Sequence, residues 1–243
     1  MNLNESGEYI TTLLVNCHKN NLNITLPVLF DSILLSENYL SMPILLVIGG
    51  YNSDELDSRY VIESSSYNDK LSYTTIKCTH NSIDFTALIA LCELSDDVFK
   101  KSEYYFYIHD TSTVGHQFFN NVISAVASSI PCKAKNVNRY FSKNLGLYSF
   151  SYLKESTRLL LTMKNESNDE NSIHHYKTLG VKKEDLLLRP FRQSIPFCNN
   201  PKLIEITDFY KRGVPRQVLH YQEIDLYKIC ANWESRKKYE LNP

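Results

Sequence analysis

Tyr104-Tyr105-Phe106-Tyr107-Ile108-His109-Asp110-Thr111-Ser112 is an aromatic and apolar run that stops on a histidine and an aspartate. The run is β-rich and apolar on both alternations, which predicts a central strand covered on both faces. Asp110 then lies at the carboxyl end of that strand. In open α/β sheets this is the edge where ligands bind, so a carboxylate delivered there by a rigid strand is the first candidate for chemistry. The competing reading makes Asp110 a turn cap, with Thr111 and Ser112 opening the next element.

Other chemical signatures narrow the classes. No G-x-G-x-x-G follows the first strand and no G-x-x-x-x-G-K-[ST] occurs, which argues against a nicotinamide dehydrogenase and a P-loop NTPase. No G-x-S-x-G elbow supplies a hydrolase nucleophile. The six cysteines, Cys17, Cys78, Cys92, Cys132, Cys198 and Cys230, form no C-x-x-C pair, so a zinc cage or redox motif is not expected and free buried thiols are.

The 243 residues suffice for one large α/β domain, and balanced charge, 26 basic against 27 acidic residues, offers no patch for nucleic acid or an anionic membrane. Residues 1–8 carry no basic stretch followed by an apolar one, and no segment approaches eighteen uninterrupted apolar residues. A soluble, cytoplasmic protein without a transmembrane segment is the expectation. The Asn-X-Ser/Thr triplets at Asn4, Asn23 and Asn165 then read as chance matches.

The elements that must position Asp110 follow from periodicity. Tyr9 to Cys17 reads as a first strand. Leu26, Leu29, Phe30, Ile33 and Leu34 mark a helix with Thr25 as N-cap and Pro27 in its first turn. Ile44 to Ile48 is a second strand ending in Gly49-Gly50, and Tyr73 to Cys78 a third. Asn81-Ser82-Ile83-Asp84 opens a helix with Phe85, Leu88, Ile89, Leu91 and Cys92 on its apolar face. The run at 104–108 is the fourth strand. Phe118, Phe119, Val122, Ile123 and Val126 make another helix. This alternation predicts an α/β fold, a mainly parallel mixed sheet with helices on both faces. Asn144 to Phe150 reads as a strand bent at Gly146, Ser151 to Met163 as a helix, Lys164 to Ser172 as a mobile surface loop, His174 to Leu188 as helical and Glu223 to Trp233 as a final amphipathic stretch.

In order and spacing of elements over roughly residues 8–150, the chain resembles a GT-A type glycosyltransferase, loosely of the family-2 kind, with its Rossmann-like sheet. The resemblance implies one domain over 1–243, with a nucleotide-binding half at about 8–130 and an acceptor half and C-terminal cover at about 131–243. It implies a donor that is a UDP- or GDP-linked nucleotide diphosphate sugar and an unknown glycan or protein acceptor. Asn16 and His18 after the first strand, Gly50 and Tyr51 after the second, and Asn81 and Asp84 after the third would line the nucleotide pocket. The family's fourth strand ends in D-x-D, whose carboxylates hold a divalent ion on the diphosphate. Here Ser112 replaces the second acid if Asp110 is the first, and Thr111 does if the register starts at His109.

A single carboxylate can still orient one Mg²⁺ or Mn²⁺, and His109 as a further ligand would favour Mn²⁺. Metal-independent transfer with cationic side chains on the leaving diphosphate is the alternative. An inverting transfer needs a carboxylate base, and the resemblance points to an acidic pair: Glu184-Asp185, with Asp169-Glu170 as rival. His220, similar to the late metal-binding histidine of some members, and Lys228 face the leaving group in this reading. They sit in a segment, Arg212 to Trp233, whose cations alternate with apolar residues and which is expected to cover the diphosphate. A non-catalytic nucleotide-sugar-binding or scaffold protein on the same fold is the first rival. A nucleotidyltransferase is the second, weakened by a first loop, His18-Lys19-Asn20-Asn21, without glycine.

Overall fold

Thr11–His18 forms strand β1, in which only the last residue is not fully buried, and Leu22–Leu34 forms helix α1. Ile44–Gly49 is β2, Tyr60–Tyr67 β3 and Leu71–Cys78 β4; a 3-10 turn at Ile83–Phe85 leads into α2, Thr86–Glu93. Then come β5 (Tyr104–His109), β6 (Ser112–Val114), α3 (Phe118–Ala127), β7 (Ala134–Asn136), β8 (Gly146–Ser149), α4 (Phe150–Glu155) and α5 (Thr157–Leu161). The later strands are β9 (Lys202–Ile206), β10 (Arg216–Tyr221) and β11 (Leu226–Ile229). The structure is a computed structural model and describes residues 9–96, 98–99, 101–141, 143–167, 183–207, 209–210 and 215–229.

The strands form a seven-stranded sheet in the order β3-β4-β2-β1-β5-β8-β7. Its middle, β4-β2-β1-β5, is parallel, and antiparallel strands extend both sides. Every residue of β2 and β5 is buried, as uninterrupted apolar runs require when both faces are covered. Neighbours on β1 show what covers them. Asn16 bonds to Ile83 and Ala87 beside α2, whereas Cys17 and the adjacent Asp110 meet Thr25 of α1. Successive side chains on a strand point to opposite faces, so α1 and α2 lie on opposite sides of the sheet.

A second, antiparallel sheet has the order β6-β11-β10-β9. Because β6 follows β5 after a two-residue turn, this sheet is attached where the central strand ends. Among the described residues, Cys17, Cys78, Cys92, Cys132 and Cys198 are free thiols. No helix among them is long and apolar enough to cross a membrane.

Several expectations change. Helix α1 begins at Leu22 with Asn21 before it, so Thr25 is not its cap and Pro27 lies inside, where it cannot donate to the Asn23 carbonyl. The stretch 151–163 is two short helices meeting at Ser156. Lys164 and Asn165, expected in a mobile loop, are held in place: Lys164, half-buried, donates to both oxygens of Glu93, and Asn165, buried, bonds to Asn81 and Ser82. Residues 168–182 lie outside the described residues, and with them Asp169, Glu170 and most of the helix expected at 174–188; of the described part, Lys183 is helical and Glu184 to Leu188 is turn. The described end of the chain is strand, a 3-10 turn at Gln222–Ile224 and strand again. Of the proposed cover, residues 212–214, with Arg212 and Val214, and 230–233, with Trp233, lie outside the described residues.

Candidate functional site

The parallel strands end at His18, Gly49, Cys78 and His109 along one edge of the sheet. Two groups of the residues singled out from sequence gather there. The first lies between β1 and β2, where His18 pairs in register with Gly49. Gly50 has φ +87, a conformation side chains resist, and a Cβ on it would stand 2.3 Å from His18 Nε2. Only glycine lets the imidazole lie this close to the backbone. His18 Nδ1 accepts from the Asn20 N–H at 3.1 Å, which fixes the ring, and Tyr51 beside it carries Lys19 Nζ 5.7 Å from its ring centre.

The second group lies at the end of β5. Ile83 is β-branched yet has φ +50, a strained backbone held from two sides: Asn16 Nδ2 donates to its carbonyl at 3.0 Å, and its N–H donates to Asn81 Oδ1 at 3.3 Å. Asn16 and Asn81 therefore spend these side-chain bonds on the loop that carries Asp84. The Tyr107 hydroxyl donates to the Asp84 carbonyl at 2.5 Å. The carboxylate so aimed is about one-third exposed and stands 3.8 Å from His109 Nε2.

Burial holds the His109 imidazole below the usual histidine range despite the pull of Asp84, and Lys228 adds to the lowering. Asn144, missed from sequence because no motif surrounds it, places Nδ2 3.1 Å from His109 Nε2. Glu184 arrives from the late part of the chain and accepts from the Lys143 backbone N–H at 3.0 Å. Burial pushes its carboxyl up and Asp84 pushes it further; the Lys143 N–H and the charges of Lys143 and Lys228 work against both. Lys228, only 4% exposed, donates to the Thr111 hydroxyl. Asp84, His109, Asn144, Glu184 and Lys228 thus form one electrostatically linked cluster at the sheet edge.

Three other candidates are placed differently. Asp110 leaves the strand on the α1 face, is 7% exposed, and takes the Thr25 hydroxyl at 2.7 Å and the Cys17 thiol at 3.2 Å on Oδ2. Asp185 points to Arg189 and Arg192: burial raises its carboxyl, but those two hydrogen-bonded cations outweigh burial and hold it below the usual range. His220 stacks on Tyr227 with ring centres 4.0 Å apart and meets Asp225 at 3.1 Å. On the antiparallel ladder His220 faces Tyr227 while Leu219 faces Lys228, so His220 and Lys228 project from opposite faces of the second sheet.

These positions do not fit a Mg²⁺ or Mn²⁺ ion held by protein ligands. His109 and Asp110 leave β5 on opposite faces, Asp110 already receives two donors, and His220 is turned away. Among the described residues no three His, Cys, Asp or Glu side chains converge as ligands. Among the described residues, two deeply buried polar atoms in this region find no partner, Asn144 Oδ1 and Ser112 Oγ. Such atoms cost stability unless something bonds to them. The arrangement suits proton transfer at Glu184, whose raised affinity for a proton brings it nearer neutrality, and anion binding above Lys228.

No protein-family profile matches the chain. No curated protein matches it either. Among solved structures, that of S. aureus TarS 1-349 is similar with a TM-score of 0.39 and 11% sequence identity. The match covers 60% of this chain, which spans about half of that one, 49%.

Proposed function

We propose that the protein is a glycosyltransferase that moves a hexose from a UDP- or GDP-linked nucleotide diphosphate sugar to a hydroxyl acceptor. The observation that supports it most is Glu184, a carboxylate with raised proton affinity, beside Asp84 at the ligand-binding edge of the sheet. In this reading the nucleoside lies against His18, Gly50 and Tyr51, where a fixed imidazole and a half-buried phenol offer flat surfaces. The diphosphate and sugar run from there toward the end of β5. Glu184 takes the proton of the acceptor hydroxyl as that oxygen bonds to the sugar carbon and the bond to the diphosphate breaks. Asp185, bound to two arginines, has no part in the step.

The test is turnover of UDP- and GDP-sugars by the full chain, followed as release of nucleoside diphosphate. Activity in the wild type and its loss in Glu184→Gln would support the reading; equal release by both would remove Glu184 as base. A second reading, a nucleotide-sugar-binding protein without turnover, is favoured by one observation, the inward turn of Asp110 onto Thr25 and Cys17. Saturable binding without release of nucleotide would select it.

A further inference from the structure

The turn after β5 and the first residue of β6 carry hydroxyls, Thr111 and Ser112, where the resembled family carries a second acid, and a cation already lies against the first of them. Strand β11 places Lys228 opposite Ser112, and its ammonium donates to Thr111 Oγ1. Opposite residues of an antiparallel pair share a face, so the unpartnered Ser112 Oγ is on the same side as the ammonium. We propose that Lys228, acting through the Thr111 and Ser112 hydroxyls, takes the place of a divalent ion beneath the donor diphosphate, so that this chain binds nucleoside diphosphates without metal. The inference rests on the nucleotide-sugar reading above.

Three observations carry it. The ammonium is nearly fully buried, and in a low-dielectric floor its field reaches an anion bound above it with little screening. The Thr111 oxygen accepts from Lys228, which leaves the hydroxyl's own proton to give; a hydroxyl polarised by a cation is a stronger donor to a phosphate oxygen. Thr111 is only half-buried, so it is the group that touches the ligand while Lys228 stays below. Asp110 is then free to serve the α1 face, which is where it is found.

The experiment is calorimetric titration of the full chain with UDP and with GDP, in EDTA and again with Mn²⁺. The expected result is binding of one nucleotide with affinities within about twofold in the two buffers, and a loss of about tenfold or more in Lys228→Met in both. Binding that appears only with Mn²⁺ would overturn the inference and leave the glycosyltransferase reading standing. Unchanged affinity in Lys228→Met would overturn it too. No binding of either nucleotide in either buffer would remove both. If Lys228→Met does not fold, the wild-type comparison between EDTA and Mn²⁺ still decides.

Discussion

Glu184 Oε1 accepts the Lys143 backbone N–H at 3.0 Å, an anchor that joins residues 41 positions apart and sets a carboxylate beside Asp84. Its folded pKa is raised by burial first and by Asp84 second. A raised carboxyl pKa means that the group's favourable contribution is fully present below the unfolded value, about 4.3, and is lost as pH rises through the folded value. Glu184→Gln keeps the acceptor oxygen and removes the charge. It should therefore abolish turnover while its melting temperature, relative to wild type, rises as pH increases above about 4. Thermal melts of both proteins across that range check it; a wild type that gains on the variant toward high pH would contradict the burial argument.

Gly50→Ala tests the first group. The new methyl meets His18 Nε2 at 2.3 Å and the backbone remains at a positive φ, so both steric terms act together. A loss of about 1–3 kcal/mol in urea unfolding is expected, with an unchanged denaturant slope. If His18 and Tyr51 hold the nucleoside, the stabilisation by UDP or GDP should also shrink. A variant as stable as wild type would show that the imidazole moves aside at no cost.

Much of this is legible in the sequence. β1, β2 and β5 are uninterrupted apolar runs, and their polar exits mark the ligand edge with no help from tertiary structure. β3 was not legible: Ser64-Ser65-Ser66 gives an outermost strand no apolar face, and only pairing with β4 reveals it. The second sheet was equally hidden, since β6 is three residues long and its partner β11 lies more than a hundred positions later. At the site, the residue types and their edge were readable, but direction was not. Whether Asp110 faces the cleft or α1 depends on the parity of the strand and on Thr25, and whether Glu184 or Asp185 turns inward depends on Lys143, Arg189 and Arg192. Those are contacts between distant parts of the chain, which local patterns do not encode.

Asp185→Asn separates the two members of the acidic pair. The wild-type carboxylate is buried and bonded to Arg189 and Arg192, both about half exposed, so solvent weakens the pairing. The variant should lose about 1 kcal/mol at neutral pH and keep turnover within a few fold. Its folded pKa is lowered, so this stability is present above the unfolded value, about 3.9, and disappears as pH falls through the folded value. The gap between wild type and variant should close accordingly on acidification. Loss of turnover without loss of stability would exchange the roles of Glu184 and Asp185.

Asp110 yields the sharpest distinction between a ligand-binding and an internal carboxylate. The Thr25 hydroxyl has a single proton and two acceptors in reach, the Asn21 carbonyl at 3.0 Å and Asp110 Oδ2 at 2.7 Å; the shorter contact to the charged group takes it. Thr25→Val then leaves a buried carboxylate with only the Cys17 thiol, a weak donor, on that oxygen. The expected cost is about 1.5–3 kcal/mol. In the Asp110→Asn background the same substitution should cost less, because the amide does not bear the charge that the hydroxyl stabilises. A double-mutant cycle on urea unfolding should give a coupling of about 1 kcal/mol or more between the two positions. Additive effects, together with a large loss of nucleotide affinity in Asp110→Asn alone, would mean that Asp110 turns from Thr25 toward the ligand and would return it to the binding site.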